Sequence, residues 1–510
     1  MSAVLRPTSV PPVALARLAD LAGSAPVDGA VSGVALGSAE VQPGDLFAAL
    51  PGSNVHGIRF VEDAIARGAT AVLTDPAGLG DLAGRLPALV APDPRAVLGR
   101  VSAEVYGNPS VRLPVAGVTG TSGKTTTTFL IRAGLIAAGR RTGVIGTVGV
   151  FLGEDSLKLP FTTPEAPQLQ ALLAVMLERG IDTVAMEVSS HALRLGRVDG
   201  TKFAVGAFTN LSQDHLDFHT DMADYFAAKR LLFDGRATRE VVVIDDEWGR
   251  RLITPDTITV STTGGQARWQ ARDIETNPDG STSFTVTSPD GGFPAGCRIP
   301  GRYNVANAVL ACAVLAELGV DPATVAPALA AAQVRGRMER VDGDQPFLAV
   351  VDYSHKPAGV TGALQGLRPL TENRLIIVLG CGGDRDRGKR PVMGEVAARG
   401  ADVLIVTDDN PRSEDPAAIR AAMLAGARAV PSDQAGQILE EGDRRRAIET
   451  AIGLAEPGDT VLIAGKGHET GQEVAGTMLA FDDVSVLREA LSARGFHPSS
   501  PASGTDVTTQ

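Results

Sequence analysis

Ten consecutive residues, Gly117-Val118-Thr119-Gly120-Thr121-Ser122-Gly123-Lys124-Thr125-Thr126, carry the side chains and the flexible backbone that bind nucleotide phosphates. Glycines at 117, 120 and 123 let the main chain approach an anion without a clashing Cβ. A short apolar run, 113–118, precedes the turn and reads as a buried strand. The run 127–138 follows it and reads as a helix, with Phe129, Leu130, Leu135 and Ile136 as its apolar members. Strand, glycine-rich turn and helix in that order point backbone N–H groups and a helix N-terminus at the anion. Lys124 then reaches the β- and γ-phosphates, and the Thr125 hydroxyl a Mg²⁺ ion. The spacing is not that of the plain phosphate loop, which has glycine where Val118 stands. The competing reading is a chance Gly/Thr-rich turn, and the flanking elements together with Gly123-Lys124-Thr125 weigh against it.

Other chemically capable residues follow. Thr183-Val184-Ala185-Met186 reads as a strand with Glu187 at its end, where a Mg²⁺-handling carboxylate belongs beside a phosphate loop. The alternative is an ordinary solvated glutamate, and Ser189, Ser190 and His191 directly after it favour a site. Residues 209–219 hold two His and two Asp: His215 is a candidate Mg²⁺ or substrate ligand, and His219 is equally well a structural, hydrogen-bonded histidine. Helix-like residues 222–233 contain Lys229, which by its spacing alone is a solvated helix lysine. Asn304 and Asn307 share one helix face, able either to cap the helix or to bind an adenine.

The last third alternates strands and helices, with strands at 348–351, 375–379, 403–407 and 461–464 and helices at 392–399 and 416–424. This is the pattern of a doubly wound α/β unit. Its polar stretches fall just after strand ends: Asp352-Tyr353-Ser354-His355, Gly382-Gly383-Asp384-Arg385, Asp408-Asp409-Asn410-Pro411-Arg412 and Gly465-Lys466-Gly467-His468-Glu469. Ligands bind at that edge of such sheets.

The elements that must position these groups fit a chain of 510 residues, long enough for two to four domains. Residues 1–112 read as a small α/β domain, with strands at 46–50 and 71–74 and a helix at 60–67. Strand-rich sequence fills 257–298, and residues 336–340 read as the joint to the last domain. The net charge of −12 argues against broad nucleic-acid or membrane-surface binding. The three cysteines, Cys297, Cys312 and Cys381, lack metal-ligand spacing and suit a reducing compartment. Pro11 and Pro12, with Arg17 and Asp20, break the N-terminal apolar run, so it does not read as a signal peptide. With no apolar run of spanning length either, the expected location is the cytoplasm. Residues 498–510 form a Ser/Thr/Pro tail expected to be disordered.

Taken together, the stretches resemble the Mur ligases over nearly the whole chain. The loop spacing alone is shared with folylpolyglutamate synthases. Pro43-Gly44-Asp45, Thr162-Thr163-Pro164, Glu187-Val188-Ser189-Ser190-His191, Asp214-His215-Leu216-Asp217, Ala228-Lys229, Asp409-Asn410-Pro411-Arg412 and Gly465-Lys466-Gly467-His468-Glu469 narrow the likeness. They point to the members that add the third amino acid to UDP-N-acetylmuramoyl-L-alanyl-D-glutamate. The resemblance departs at Gly37-Ser38-Ala39, at Ser354-His355-Lys356-Pro357 and at Leu195, none of them in the phosphate chemistry.

The resemblance implies an α/β fold of three domains. These are a uridine-nucleotide domain over 1–112, a central P-loop ATPase domain with a mostly parallel sheet over 113–340, a C-terminal Rossmann-like amino-acid domain over 341–495, and a tail over 496–510. By motif matching, ATP meets Gly120, Thr121, Ser122, Gly123, Lys124, Thr125 and Thr126, with Asn307, Arg337 and Asp352 nearby. The uridine nucleotide meets Leu36, Ser38, Ser53, Asn54 and Val55, and its muramoyl-dipeptide meets Thr162, Thr163, Ser189 and Arg197. Mg²⁺ is held by Thr125, Glu187, His215 and Lys229, the last as a carbamate (N6-carboxylysine) formed with CO₂. The implied reaction runs through an acyl phosphate, with domain closure bringing the amine to it.

The implied amino acid is meso-diaminopimelate, held by Arg385, Asp409, Asn410, Pro411, Arg412, Gly465 and Glu469. Arg412 is absent from the motif of lysine-adding relatives and suits bidentate recognition of the far carboxylate. Its alternative is a loop arginine bridging to Asp408 or Glu414. Rival readings are the same ligase using the LL isomer or lysine, a folylpolyglutamate synthase-like ligase, and a nucleotide-dependent switch or binding module. The expected partners are small molecules, with no nucleic acid and no membrane insertion, and the expected state is a monomer.

Overall fold

The computed structural model describes residues 5–497 apart from 53, 158, 160, 278 and 279. Ser53 and the 498–510 tail therefore lie outside the described residues. The chain divides into two compact units: Met1–Ser261 with Gly265–Trp269 and Leu310–Val325, and Thr262–Gly264 with Gln270–Val309 and Ala326–Gln510.

The first unit holds two parallel sheets. Strands Gly33–Ala35, Asp45–Ala48, Ala71–Thr74 and Ala88–Val90 lie side by side in that order. Alternation sends Leu46 and Ala48 to a core with helices Leu15–Ala22 and Pro94–Val105, and Phe47 to another with helix Val61–Ala66. Helices on both faces explain why these short strands are apolar but for Asp45 and Thr74 at their ends. The buried Asp45 at the head of its strand is held by Arg6, whose Nη2 lies 2.8 Å from Oδ2.

The larger sheet runs Thr142–Gly146, Thr183–Glu187, Val115–Thr119, Phe203–Phe208, Ala237–Val243 and Ile258–Ser261, all parallel. Gly149–Leu152 and Asp155–Leu157 add an antiparallel edge. The loop strand is thus flanked on both sides, with Glu187 paired to Val118 and Phe208 to Thr119. Register alone brings the ends of three strands to the phosphate loop. Helix Lys124–Ala137 begins three residues earlier than the sequence reading, directly at the loop, because Gly123 caps it at φ 86°. Phe129, Leu130 and Leu135 are buried as expected, whereas Ile136 is 41% exposed: one residue past Leu135, it is turned about 100° off the packed face.

In the second unit, strands Leu348–Asp352, Thr460–Ala464, Leu375–Leu379, Val403–Val406 and Gln437–Glu440 are parallel neighbours in that order. The strand latest in sequence sits between the first two, so the winding reverses there. Glu339–Arg340 adds an antiparallel edge. Helices Arg444–Leu454 and Asp483–Ala493 cover Val351, Ile376, Val378, Ile405 and Ile463. Strands Trp269–Thr276, Thr282–Ser288 and Gly291–Cys297 are antiparallel to one another, matching the strand-rich stretch. Cys297, Cys312 and Cys381 are all buried free thiols. Phe496 packs edge-on against Phe347, with ring centroids 5.6 Å apart.

Sequence reading missed the hairpin Gly471–Val474 and Thr477–Ala480. Its strands are short and its second strand is exposed, so no alternation marks it. Ala475 and Gly476 both have positive φ, 49° and 76°, as a tight two-residue hairpin turn requires.

Helices Lys389–Gly400 and Pro416–Arg428 cross closely. A Cβ on Gly394 would meet the Met423 carbonyl oxygen at 1.9 Å, so only glycine permits this approach. Gly394→Ala must push the helices apart. A loss of about 1–3 kcal/mol is expected, read as a lowered urea midpoint with the helical signal followed by circular dichroism.

Candidate active site

The phosphate loop is clamped by the segment that follows strand Phe203–Phe208. Thr121 N donates to Asn210 O at 2.9 Å, Ser122 N to Asn210 Oδ1 at 3.1 Å, and Thr209 Oγ1 to Ser122 O at 2.7 Å. Gly120, at φ 146°, is pressed so close that a Cβ would lie 1.9 Å from Thr209 Oγ1. Lys124 Nζ donates to the Gly120 and Thr121 carbonyls, at 2.8 Å each. Thr125 and Thr126 are buried in the first turn of the helix.

Lys229 is not a solvated helix lysine. It is 1% exposed, and its Nζ donates to Gly120 O at 2.7 Å while lying 4.5 Å from the centre of the Tyr225 ring. The correction has a simple cause: helix Met222–Arg230 lays this face against the loop, and Tyr225 is one turn before Lys229 on the same face. Tyr225 is itself buried, its hydroxyl 3.2 Å from Thr121 Oγ1, and burial pushes its pKa well above that of an ordinary phenol. Two amines thus meet one carbonyl oxygen of the loop.

Glu187 is buried rather than solvated. Its Oε1 accepts from Thr147 N at 2.8 Å and its Oε2 from Thr147 Oγ1 at 3.0 Å. His215 is held in the left-handed region at φ 54°, with Nε2 3.3 Å from Asp214 Oδ2 and its ring edge-on to His191 at 4.7 Å. His219 takes the structural role: it is buried, with Nε2 3.0 Å from Ser190 Oγ and Nδ1 3.5 Å from Asp224. Burial lowers the basicity of both His191 and His219. Among the described residues no three His, Cys, Asp or Glu side chains gather into a metal cluster.

Thr162, Thr163, Ser189 and Arg197 converge next to Glu187. Thr163 Oγ1 donates to Glu187 O at 3.0 Å and accepts from Ser189 N at 3.2 Å; Thr162 Oγ1 lies 3.1 Å from Thr147 Oγ1. Arg197 Nη1 donates to Thr163 O, and its Nε pairs with Glu165 at 2.8 Å. Leu36 and Ser38 follow strand Gly33–Ala35, while Asn54 and Val55 lie in the exposed loop after the neighbouring strand Asp45–Ala48.

In the second unit all four strand-end stretches come together. Asn410 Nδ2 donates to Glu469 Oε2 at 2.8 Å, Gly383 N to Asn410 O at 2.8 Å, and Gly465 N to Asp352 O at 3.1 Å. Asp409 and Pro411 are buried. Arg412, at φ 54°, pairs through Nε with Glu473 Oε2 at 3.2 Å and donates from Nη1 to Gly383 O at 2.6 Å. It does not bridge to Asp408 or Glu414: Arg420 engages the first, and Arg390 and Arg387 the second. Arg385 is exposed, its Nη1 donating to Asp384 O.

Asp352 accepts from Met338 N at 2.7 Å, and Arg337 lies over the Tyr353 ring at 4.5 Å. Asn304 is the third residue of helix Arg302–Glu317, not its cap; it donates to Pro300 O and accepts from Asn307 at 2.9 Å.

Thr147, Tyr225, Glu165 and Glu473 carry much of this geometry and were not singled out by sequence. Only Tyr225 left a signal, an aromatic four residues before Lys229.

Residues 30–106 match the model of the Mur ligase family catalytic domain, 118–315 the Mur ligase middle domain, and 336–467 the Mur ligase glutamate ligase domain. The chain is 51% identical over 496 residues to the UDP-N-acetylmuramoyl-L-alanyl-D-glutamate–2,6-diaminopimelate ligase of Streptomyces coelicolor, covering 95% of this chain and 98% of that one. It is 49% identical to the protein of the same name from Corynebacterium glutamicum, covering 91% and 92%. A solved structure of a ligase of that name superposes with a TM-score of 0.67 at 33% identity, over 91% of this chain and 96% of that one. No helix among the described residues is long and apolar enough to cross a membrane.

His355 offers a test of the second unit's electrostatics. Its ring lies 2.8 Å from Tyr353 O through Nδ1 and edge-on to the Tyr353 ring. Burial, then the charges of Lys356 and Lys389, push its pKa down to about 3. The unfolded chain takes up this proton near pH ~6.5, and the folded chain does not. Acidification from there toward pH 3 therefore destabilises the fold, and His355→Gln should flatten that slope. Imidazole NMR resonances of His355 should not titrate between about pH 5 and 8.

Proposed function

The chain belongs to the Mur ligase family, and from that premise we propose that it uses ATP to join 2,6-diaminopimelate to the D-glutamyl carboxylate of UDP-N-acetylmuramoyl-L-alanyl-D-glutamate. The observation that carries the choice of amino acid is Arg412 beside the Asn410–Glu469 pair, a fork-shaped cation and a carboxylate at one sheet edge. An amino-acid head group has the complementary pair of charges. Arg412 receives the carboxylate at the far end of diaminopimelate, Glu469 the ammonium on the same carbon, and Arg385 the other carboxylate. Lysine lacks the far carboxylate. The 51% identity to a relative bearing that ligase's name supports the reading.

The reaction proceeds in two displacements. The D-glutamyl carboxylate oxygen attacks the γ-phosphorus, the bond to the β-phosphate oxygen breaks, and ADP leaves an acyl phosphate. The amine of the amino acid then attacks the acyl carbon, inorganic phosphate departs with the bonding electrons, and the amine sheds its proton. Lys124 and the helix N-terminus behind it neutralise charge on the transferring phosphoryl group. Thr162, Thr163, Ser189 and Arg197 hold the dipeptide with its carboxylate toward that phosphorus. Asn307, Arg337 and Asp352 serve the nucleoside, and the N-terminal sheet edge with Leu36, Ser38, Asn54 and Val55 serves the uridine.

The residues that would hold a Mg²⁺ ion are Thr125, Glu187, His215 and, once carbamylated, Lys229, which together would offer hard oxygen and imidazole donors. When bound, it supplies positive charge to the phosphates. Lys229 suits carbamylation because its buried amine already sits on the loop beside Lys124, where a second cation works against Lys124 and an anion does not.

The deciding assay offers the protein ATP, the uridine dipeptide nucleotide, and lysine, meso-diaminopimelate or LL-diaminopimelate in parallel, with ADP release measured. Ligation of the meso isomer alone is expected. Equal use of lysine would rule the reading out, and ADP release without any amino acid would mark a switch. Arg412→Ala should weaken diaminopimelate binding by about 2–5 kcal/mol, read as a steep rise in its KM with that for ATP unchanged.

Lys229→Ala should lose ligation and regain part of it with formate or acetate, which restore the missing anion. Full activity of Lys229→Ala without added acid contradicts the carbamate.

A further inference from the structure

Lys466 lies between Gly465 and Gly467 on a strand-end loop, where a lysine is normally solvated, yet it is 0% exposed. Its Nζ donates to Asn410 Oδ1 at 2.8 Å and lies 3.2 Å from Glu469 Oε2. Asn410 Oδ1 also accepts from Glu473 N at 3.0 Å. With two donors on that oxygen, the amide has one possible orientation, and its NH₂ group turns to Glu469 Oε2 at 2.8 Å. Oε2 is thereby engaged twice, and Oε1 of the same carboxylate has no hydrogen-bond partner among the described residues.

We propose that Lys466 is the positioning residue of the amino-acid site: its buried ammonium orients the Asn410 amide and turns one oxygen of Glu469 toward the incoming substrate's ammonium. The inference rests on the diaminopimelate reading of this site. An ammonium taken out of water costs several kcal/mol unless fully paired. The Glu469 carboxylate that its removal would leave is one-third exposed (33%) and keeps water as a partner. A purely architectural need at position 466 is met by methionine. Orientation of a hydrogen-bonding amide and a carboxylate is not. Lys466 touches neither substrate nor nucleotide in this role; it acts through Asn410 and Glu469.

The test compares Lys466→Met, Glu469→Gln and the double variant by steady-state ligation, with thermal unfolding of each. Lys466→Met is expected to unfold within a few degrees of wild type and to raise the KM for meso-diaminopimelate about tenfold or more, the size of a lost hydrogen bond to a charged group. The KM values for ATP and the uridine nucleotide should stay within about twofold, and in the Glu469→Gln background the same substitution should add less than about threefold. A folded Lys466→Met with an unchanged diaminopimelate KM, while Glu469→Gln raises it, overturns the role of Lys466 and leaves the site reading standing. An equal effect of Lys466→Met with and without Glu469 also overturns it. An unchanged KM in Glu469→Gln removes the site reading and this inference together. Should Lys466→Met not fold, Lys466→Gln is judged by the same values.

Discussion

One carbonyl oxygen organises the first unit. Gly120 is forced by its neighbours into a conformation that only glycine adopts easily, and its oxygen accepts from both Lys124 and Lys229. A side chain at position 120 would collide with Thr209, and the clamp from Thr209 and Asn210 to Thr121 and Ser122 would open. The loop's place in the middle of a parallel sheet follows from the same requirement. Neighbouring strands on both sides deliver Glu187 from one and the clamp from the other, each in a register set by main-chain hydrogen bonds.

The second unit solves a different problem with the same architecture. There the sheet reverses its winding beside strand Thr460–Ala464, and loops from four strands meet along that edge. The buried pair Arg444–Asp483 supports this edge from beneath: Arg444 donates to both Asp483 oxygens and to Ala464 O, the residue before Gly465. Above it the hairpin Gly471–Ala480 straps the 409–412 loop, with Gln472 donating to Asp409 O and Arg412 exchanging main-chain bonds with the hairpin. Arg412 is thus presented by a loop that is tied down on both sides, which suits recognition of a carboxylate by a fork held in one orientation.

Charge in this molecule is local. A chain with a net charge of −12 still places tethered cations where phosphate and carboxylate groups are proposed to bind: Lys124 and Lys229 on the loop, Arg197 at the 162–163 turn, Arg412 and Lys466 at the second sheet edge. Each is tethered by a carbonyl or a carboxylate of the protein, so little reorientation is left for the ligand to impose.

The strand–loop–helix of 115–137 was legible from the sequence because glycine spacing and apolar runs are local signals. So were the parallel strands of the second unit, each a short apolar run closed by polar residues. The family was legible too, from motifs whose residue types are set by chemistry. Tertiary structure alone decided the environments. Lys229 reads as a surface lysine until helix Met222–Arg230 turns it onto a carbonyl 109 residues away. Arg412 finds its partner in Glu473, on a hairpin that no alternation marks. Asn304 is inside its helix, bonded to Asn307 and not capping. Whether a polar side chain is solvated, paired or buried depends on groups far away in sequence, brought near by sheet register and helix packing. The sequence by itself determined the local strand–turn–helix units and the family; the packing of distant segments decided which way the polar side chains face and what holds them.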